Sequence, residues 1–304
     1  MPAEGLDWLP NERLLSDDEI VRLVRIGVER LGIREVRFTG GEPLVRRGLV
    51  DIVARTRALS DAADADLDLS LTTNGLGLTR LASPLADAGL DRVNVSLDSV
   101  RPETFHQITR RDRLHDVLDG LRAAADADLG PIKVNAVLLR DVNDDQAPEL
   151  LEWAVANGYQ LRFIEQMPLD AQHGWSREAM VTADEILERL HKEFVLTAAS
   201  EPRGSAPAEL FVVDDGPATV GVIASVTRPF CGDCDRVRLT ADGQIRNCLF
   251  AREESDLRTA LRAGVSDEEI ARRWVVAMAG KRAGHGIDDP TFLQPDRPMS
   301  AIGG

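Results

Sequence analysis

Aromatic side chains are scarce in these 304 residues: eight phenylalanines, four tryptophans and one tyrosine. A core without them must be built from aliphatic residues, a composition that the interior of an α/β barrel accepts. Cysteine is scarcer still. The three thiols, Cys231, Cys234 and Cys248, cannot close into disulfides without leaving one over. No apolar run is long enough to span a bilayer, and nothing at the N-terminus reads as a signal peptide. Basic residues are outnumbered, 36 against 51, giving a net charge of −15. Such a surface repels nucleic acid and anionic lipid at long range, so neither is an expected partner. Free thiols without a targeting signal point to a reducing cytoplasm. An anionic small substrate would then need a local basic pocket.

Such a pocket is suggested where the cysteines are. Residues 227–251 read TRPFCGDCDRVRLTADGQIRNCLFA, with the spacing C-x2-C-x13-C. Val237–Thr240 and Gln244–Asn247 flank Ala241-Asp242-Gly243, a three-residue hairpin loop with glycine where a left-handed conformation is wanted. In that register Arg236 faces Cys248, Arg238 faces Arg246 and Leu239 faces Ile245. One face carries Arg236, Arg238, Arg246 and Cys248, and the aliphatic residues share the other, because side chains alternate along a strand. The pattern predicts a metal centre beside three guanidinium groups, suited to a phosphate ester. Two metal centres fit three cysteines: a structural zinc completed by His285 or His173, or an iron–sulfur cluster with one iron left open.

Upstream, Ser16 and Glu19 form a capping box ahead of a helix that stops at Gly32. Short apolar strands then alternate with helices. The strands are 34–38, 67–73, 92–96, 131–138 and 160–165, and the helices lie near 47–59, 79–88, 113–127 and 146–157. That alternation means parallel pairing through right-handed crossovers. Polar residues sit at or near the end of every strand: Thr39-Gly40-Gly41-Glu42-Pro43, Thr72-Thr73, Ser96 with Asp98, Lys133 with Asn135, and Arg162 with Glu165. Loops from every strand converge on one face in a barrel, whereas an open sheet gathers its ligand at one switch point, so a complete or partial barrel is expected. Lys133 should point inward, opposite Val134, Ala136 and Leu138. Met167 alone reads as core, and Asn135, Arg162 and Glu165 could form a structural polar network.

From about residue 170 the pattern changes. Thr182 and Glu185 cap a helix to about 192, and residues 199–208 are a Pro/Gly/Ser-rich linker. β segments near 209–213 and 218–226 follow, then the cysteine hairpin and helices near 255–263 and 267–279. The expected organisation is a partial barrel over 1–170 and a smaller α+β domain over 171–304.

The segments VRFTGGEPLVRR, LTTNG, VNVSLDS, KVNAVL, RFIEQM, FCGDCDRVRLTADG with CLFA, and the terminal IGG together resemble the GTP 3′,8-cyclase family of radical S-adenosylmethionine (SAM) enzymes. The resemblance implies an incomplete (β/α)6 barrel capped by a C-terminal domain with a 4Fe–4S cluster. It implies that Cys231, Cys234 and Cys248 hold that cluster, that Gly41, Glu42, Ser96 and Met167 contact SAM, and that Arg37, Thr72, Lys133, Arg236, Val237 and Arg238 hold GTP. The implied chemistry is a 5′-deoxyadenosyl radical that takes hydrogen from C3′ of GTP, the carbon then attacking C8, at the start of molybdenum cofactor biosynthesis. Implied partners are a reductant and a downstream cyclic pyranopterin monophosphate synthase, with a homodimer as an admissible assembly, and the diglycine tail is implied to reach the active site.

The family's other 4Fe–4S cluster, which cleaves SAM, uses C-x3-C-x2-C after the first barrel strand, and these 304 residues contain no such motif. The opening MPAEG resembles residues that follow it, so the expectation is a first strand, a cluster and a GTP-contacting arginine lying in a missing N-terminal segment. Without that segment the chain is expected to be inactive alone, and the alternative function is a non-catalytic iron–sulfur GTP-binding protein.

Overall fold

The computed structural model describes residues 9–62, 66–170, 173–289 and 292–302. Helix α1 (Asp17–Leu31) begins at the expected capping box: Glu19 N–H donates to Ser16 Oγ at 3.1 Å and Ser16 N–H to Glu19 Oε2 at 2.8 Å. Strand–helix units follow: β1 (Glu35–Phe38), α2 (Leu49–Ala62), β2 (Asp68–Thr73), α3 (Leu78–Asp87) and β3 (Arg92–Ser96). Next come α4 (Pro102–Thr109), α5 (Leu114–Asp126), β4 (Lys133–Val137), α6 (Ala147–Ala156) and β5 (Gln160–Ile164). Each of these five strands lies within two residues of its expected ends. Helix α4 is an addition, started by Pro102 in its first turn and held by buried Phe105.

Strands β1 to β5 pair in chain order, all parallel. After α7 (Ala183–Leu190), the strands β6 (Leu196–Ala198), β7 (Glu209–Val213) and β8 (Thr219–Ile223) extend the same sheet. Strand β8 lies parallel to β5, whereas β7 and β6 are antiparallel. The sheet is therefore continuous across residue 170, and six parallel strands carry the barrel wall. A separate three-stranded antiparallel sheet holds β9 (Arg238–Leu239), β10 (Gln244–Arg246) and β11 (Ser255–Asp256). Helices α8 (Arg258–Arg262), α9 (Asp267–Ala279) and α10 (Met299–Ile302) complete the chain.

Side-chain alternation sorts the wall into two faces. Leu69, Leu71, Val93, Val95, Val134, Ala136, Leu161 and Phe163 are fully buried in the main core with the helices. The other face is polar, and the register sets it in rows: Arg37–Ser70–Arg92, then Thr72–Asn94–Lys133, then Ser96–Asn135–Arg162–Gly221. Gly221 is where the rows need space. A Cβ there would stand 3.0 Å from Arg162 Cγ and 3.1 Å from Ala208 Cβ.

A second core joins the two ends of the chain. Leu15, Leu23 and Ile26 of the N-terminal region pack with Ile245, Leu257, Leu261, Ile270 and Trp274, with Val237 and Leu239 against them. Arg22 and Arg25 both reach Asp267 at the start of α9, at 2.9 and 2.8 Å. The cysteine hairpin is thus mounted on α1, which also packs on α2 of the barrel.

Candidate active site

The hairpin has the expected register: Ile245 pairs with Leu239 and Arg246 with Arg238. Gly243 takes φ 78°, and a Cβ there would come within 2.7 Å of Arg258 Cβ, so glycine is required on two counts. Lys281, from the loop after α9, donates to the carbonyls of Arg236 and Asn247 at 2.7 Å each and so holds the two arms together.

The three thiols are all partly exposed and electrostatically coupled. Burial pushes Cys231 up, and Cys248 and then Cys234 add to that, partly offset by the His285 backbone N–H. Cys234 lies below the ordinary thiol range. Burial works against this, but the Arg236 backbone N–H and guanidinium and the Lys281 ammonium outweigh it, with Arg236 Nη2 at 3.2 Å from Sγ. These are three soft donors with N–H groups aimed at sulfur, a set that suits thiolate ligation of iron.

Among the described residues no three His, Cys, Asp or Glu side chains converge to hold a metal ion, the three cysteines included. A zinc completed by His285 fits less well than a three-cysteine centre. His285 already has both ring nitrogens engaged, Nε2 with the Ser225 carbonyl at 3.0 Å and Nδ1 accepting from Ile287 N–H at 3.1 Å.

Between the hairpin and the polar face of the barrel lies a cavity of about 2090 Å³. Of the residues expected at the site, Arg37, Gly41, Glu42, Lys133, Arg236, Val237 and Arg238 line it together. Ser96, Thr72 and Met167 are not among its lining. Thr72 Oγ1 instead accepts from Asn94 Nδ2 at 3.2 Å, and Asn94 Oδ1 accepts from Arg162 Nη2 at 3.1 Å. With Arg162 Nε donating to Asn135 Oδ1 at 2.9 Å, this is a structural polar network inside the barrel. Met167 packs against a small cluster of Met180, Val226 and Ile287.

Two carboxylates that the sequence offered as functional are heavily bonded within the protein. Glu42 accepts from Leu44 N–H at 3.0 Å, Thr73 Oγ1 at 2.7 Å and Asn74 N–H at 2.8 Å, fastening the loop after β1 to the end of β2. Buried Glu165 accepts from Ala183, Val226 and Thr227 N–H at 2.8–2.9 Å and from Thr227 Oγ1 at 2.5 Å. It thereby ties β5 to the start of α7 and to the segment that leads into Cys231. Arg246 is likewise claimed: only 2% exposed, it bonds Glu254 at 2.6 Å and the Ala251 carbonyl. Of the three guanidinium groups expected beside the metal centre, Arg236 and Arg238 therefore face the cavity and Arg246 does not.

The cavity wall is electropositive inside an acidic protein. Burial, then Arg162, Arg92 and Arg37, lower Lys133 to about 8. Burial and the neighbouring arginines lower Arg162 to about 10. Arg238 is also brought down to about 10, by burial first and Arg236 next. Groups so perturbed by burial and like charge mark a place prepared for a counter-charge. Arg92 was not singled out from the sequence, although the alternation R-V-N-V-S placed it on the face of Asn94 and Ser96. Arg203, Arg297, Pro298, Ser300 and Ala301 also line the cavity and carried no recognisable sequence signal, whereas Ile302 beside them opens the terminal IGG. The terminal Gly303 and Gly304 lie outside the described residues.

Residues 6–154 match the Radical SAM superfamily and residues 159–287 match Molybdenum Cofactor Synthesis C. The chain is 66% identical to a GTP 3′,8-cyclase of Streptomyces coelicolor, covering all of this chain and 88% of that protein. It is 56% identical to one from Paenarthrobacter nicotinovorans, covering all of this chain and 89% of that protein. Among solved structures, a radical SAM methyltransferase from Sphaerobacter thermophilus aligns with a TM-score of 0.47 at 16% identity, over 76% of this chain and 62% of that one.

Proposed function

The chain belongs to the GTP 3′,8-cyclase family, the radical SAM enzymes that cyclise GTP in the first step of molybdenum cofactor biosynthesis, and from that premise we propose that the cavity between the barrel and the cysteine hairpin holds GTP. The observation that carries this is Lys133: it lines the cavity, and burial beside three arginines has brought it to about 8. A triphosphate would relieve that repulsion. Arg37, Arg236 and Arg238 surround the same space, with Val237 providing an apolar contact for the nucleoside. Thr72 acts on this reading through Asn94, which it orients, and not as a wall residue.

The family's groups, when bound, supply a 5′-deoxyadenosyl radical from SAM and a 4Fe–4S iron for the purine. This chain's residues do the holding. Cys231, Cys234 and Cys248 would ligate the cluster at the hairpin, where N–H donors from Arg236 and His285 lower the charge on sulfur. Arg236 connects the two sites, because its guanidinium touches Cys234 Sγ and also lines the cavity. Gly41 and Glu42, at the end of β1, would form the SAM side, with Ser96 and Met167 next to it. The basic residues fix the triphosphate so that the sugar and base stay in reacting geometry.

On this reading residues 1–170 form five strands of the barrel, and 171–304 supply its sixth, β8, and the part carrying the second cluster, in a cytoplasmic protein served by a reductant and by an enzyme that consumes the cyclic nucleotide. The diglycine tail would enter the cavity, which Ile302 already lines. Among the described residues no helix is long and apolar enough to cross a membrane. The similarity to cyclases over the whole of this chain favours the enzyme over a non-catalytic GTP-binding protein.

The test is anaerobic reconstitution followed by calorimetry with GTP. The expected result is iron equivalent to roughly one four-iron cluster and GTP binding that Lys133→Met abolishes or greatly weakens. Absence of GTP binding by the reconstituted chain would sink the reading.

A further inference from the structure

We propose that Arg297 is a positioning residue that latches the C-terminal segment onto the cysteine hairpin, so that residues 298–302 form one wall of the GTP cavity. Arg297 Nη1 bonds Glu254 Oε2 at 3.0 Å and Nη2 bonds Asp242 Oδ1 at 3.1 Å. Both acceptors belong to the hairpin: Asp242 is in its turn and Glu254 follows its second arm. Each is itself fixed. Asp242 accepts from Thr240 Oγ1 at 2.6 Å, and Glu254 accepts from buried Arg246 at 2.6 Å. Asp242 lies below the usual carboxylate range; burial opposes this, and Thr240 and Arg297 overcome it.

The same guanidinium grips its own end of the chain, with Nη2 donating to the Ala301 carbonyl at 3.0 Å. Two more contacts set the direction of the tail: Met299 N–H donates to the Leu169 carbonyl at 3.0 Å, and Ile302 is buried. Isolated surface ion pairs are worth little. Arg246, Glu254, Arg297 and Asp242 instead form a connected network with one fully buried member. Its geometric consequence is that the tail keeps register with β9, and so with Arg238, on the same cavity.

This inference rests on the reading of the cavity as the GTP site, and its test separates the two. Hydrogen exchange at Met299 and Ala301 and GTP calorimetry are measured on the reconstituted full chain, on Arg297→Gln and on Arg297→Lys. In Arg297→Gln the tail amides should exchange roughly tenfold faster while those of Gly243 and Leu257 do not change, and GTP should bind roughly tenfold more weakly. Arg297→Lys, which keeps the charge but not the fork, should recover part of both. Unchanged tail exchange in Arg297→Gln overturns the latch. Faster exchange with unchanged GTP affinity overturns its service to the substrate site. A parent chain that binds no GTP overturns the cavity reading before any variant is compared.

Discussion

Arg238 and Arg246 stand directly opposite each other across the cysteine hairpin, yet they face different chemistry. Arg246 is sealed against Glu254 and the Ala251 carbonyl, whereas Arg238 lines the cavity and is brought to about 10 by burial and Arg236. Their substitutions should therefore separate. Arg246→Ala leaves Glu254 without its innermost partner and is expected to cost about 3–5 kcal/mol of unfolding free energy. Arg238→Ala removes a charge from the cavity wall, so GTP binding should be lost while stability falls by less than in Arg246→Ala. Urea unfolding and calorimetry on both variants decide it. Equal losses of stability would contradict the assignment.

Much of this was legible in the sequence, for reasons that are local. The hairpin register followed from loop length and alternation, and two capping boxes fixed the starts of α1 and α7. Strand β8 was legible only as a β segment. Its pairing with β5 is non-local, and neither periodicity nor turn chemistry encodes which edge a strand will join. Arg246 shows the same limit at the site. The register put it on the basic face, but only tertiary structure reveals that Glu254, eight residues later, neutralises it. Arg297 is the extreme case, its acceptors lying 43 and 55 positions away in the chain.

The resemblance implies that Glu42 contacts SAM, and in the ligand-free chain its carboxylate accepts from Thr73, Asn74 and Leu44. Glu42→Ala should destabilise the ligand-free chain by about 1–3 kcal/mol, because two backbone N–H groups and a hydroxyl lose their acceptor. Thermal unfolding without SAM measures this. An unchanged midpoint would mean that the carboxylate serves the ligand alone.

Glu165 joins three separated segments through four hydrogen bonds, and it stands three positions after Arg162, which lines the cavity. Glu165→Ala should cost more than Glu42→Ala, about 3–5 kcal/mol, since the site is fully buried and the donors cannot reach water. The segment after Val226 leads directly to Cys231. Iron incorporation should fall in parallel with stability, and a variant that loses stability but takes up iron normally would show that the two are uncoupled.

Lys133 gives a prediction in which binding and stability move in opposite directions with pH. In the free chain burial and Arg162, Arg92 and Arg37 hold it near 8, below its unfolded value of about 10.4. Over that window the unfolded chain binds more protons than the folded one, so this group's contribution to stability rises with pH. GTP needs the ammonium form, so its affinity should fall through the same window, by at most about tenfold per pH unit. Arg162 and Arg238, near 10, keep their charge over the first part of it. Lys133→Met should bind GTP weakly at pH 7, show no decline between pH 8 and 9, and unfold at higher denaturant than the parent. Calorimetry and urea melts at pH 7, 8 and 9 check all three, and a parent chain whose GTP affinity is flat across that range would remove Lys133 from the phosphate site.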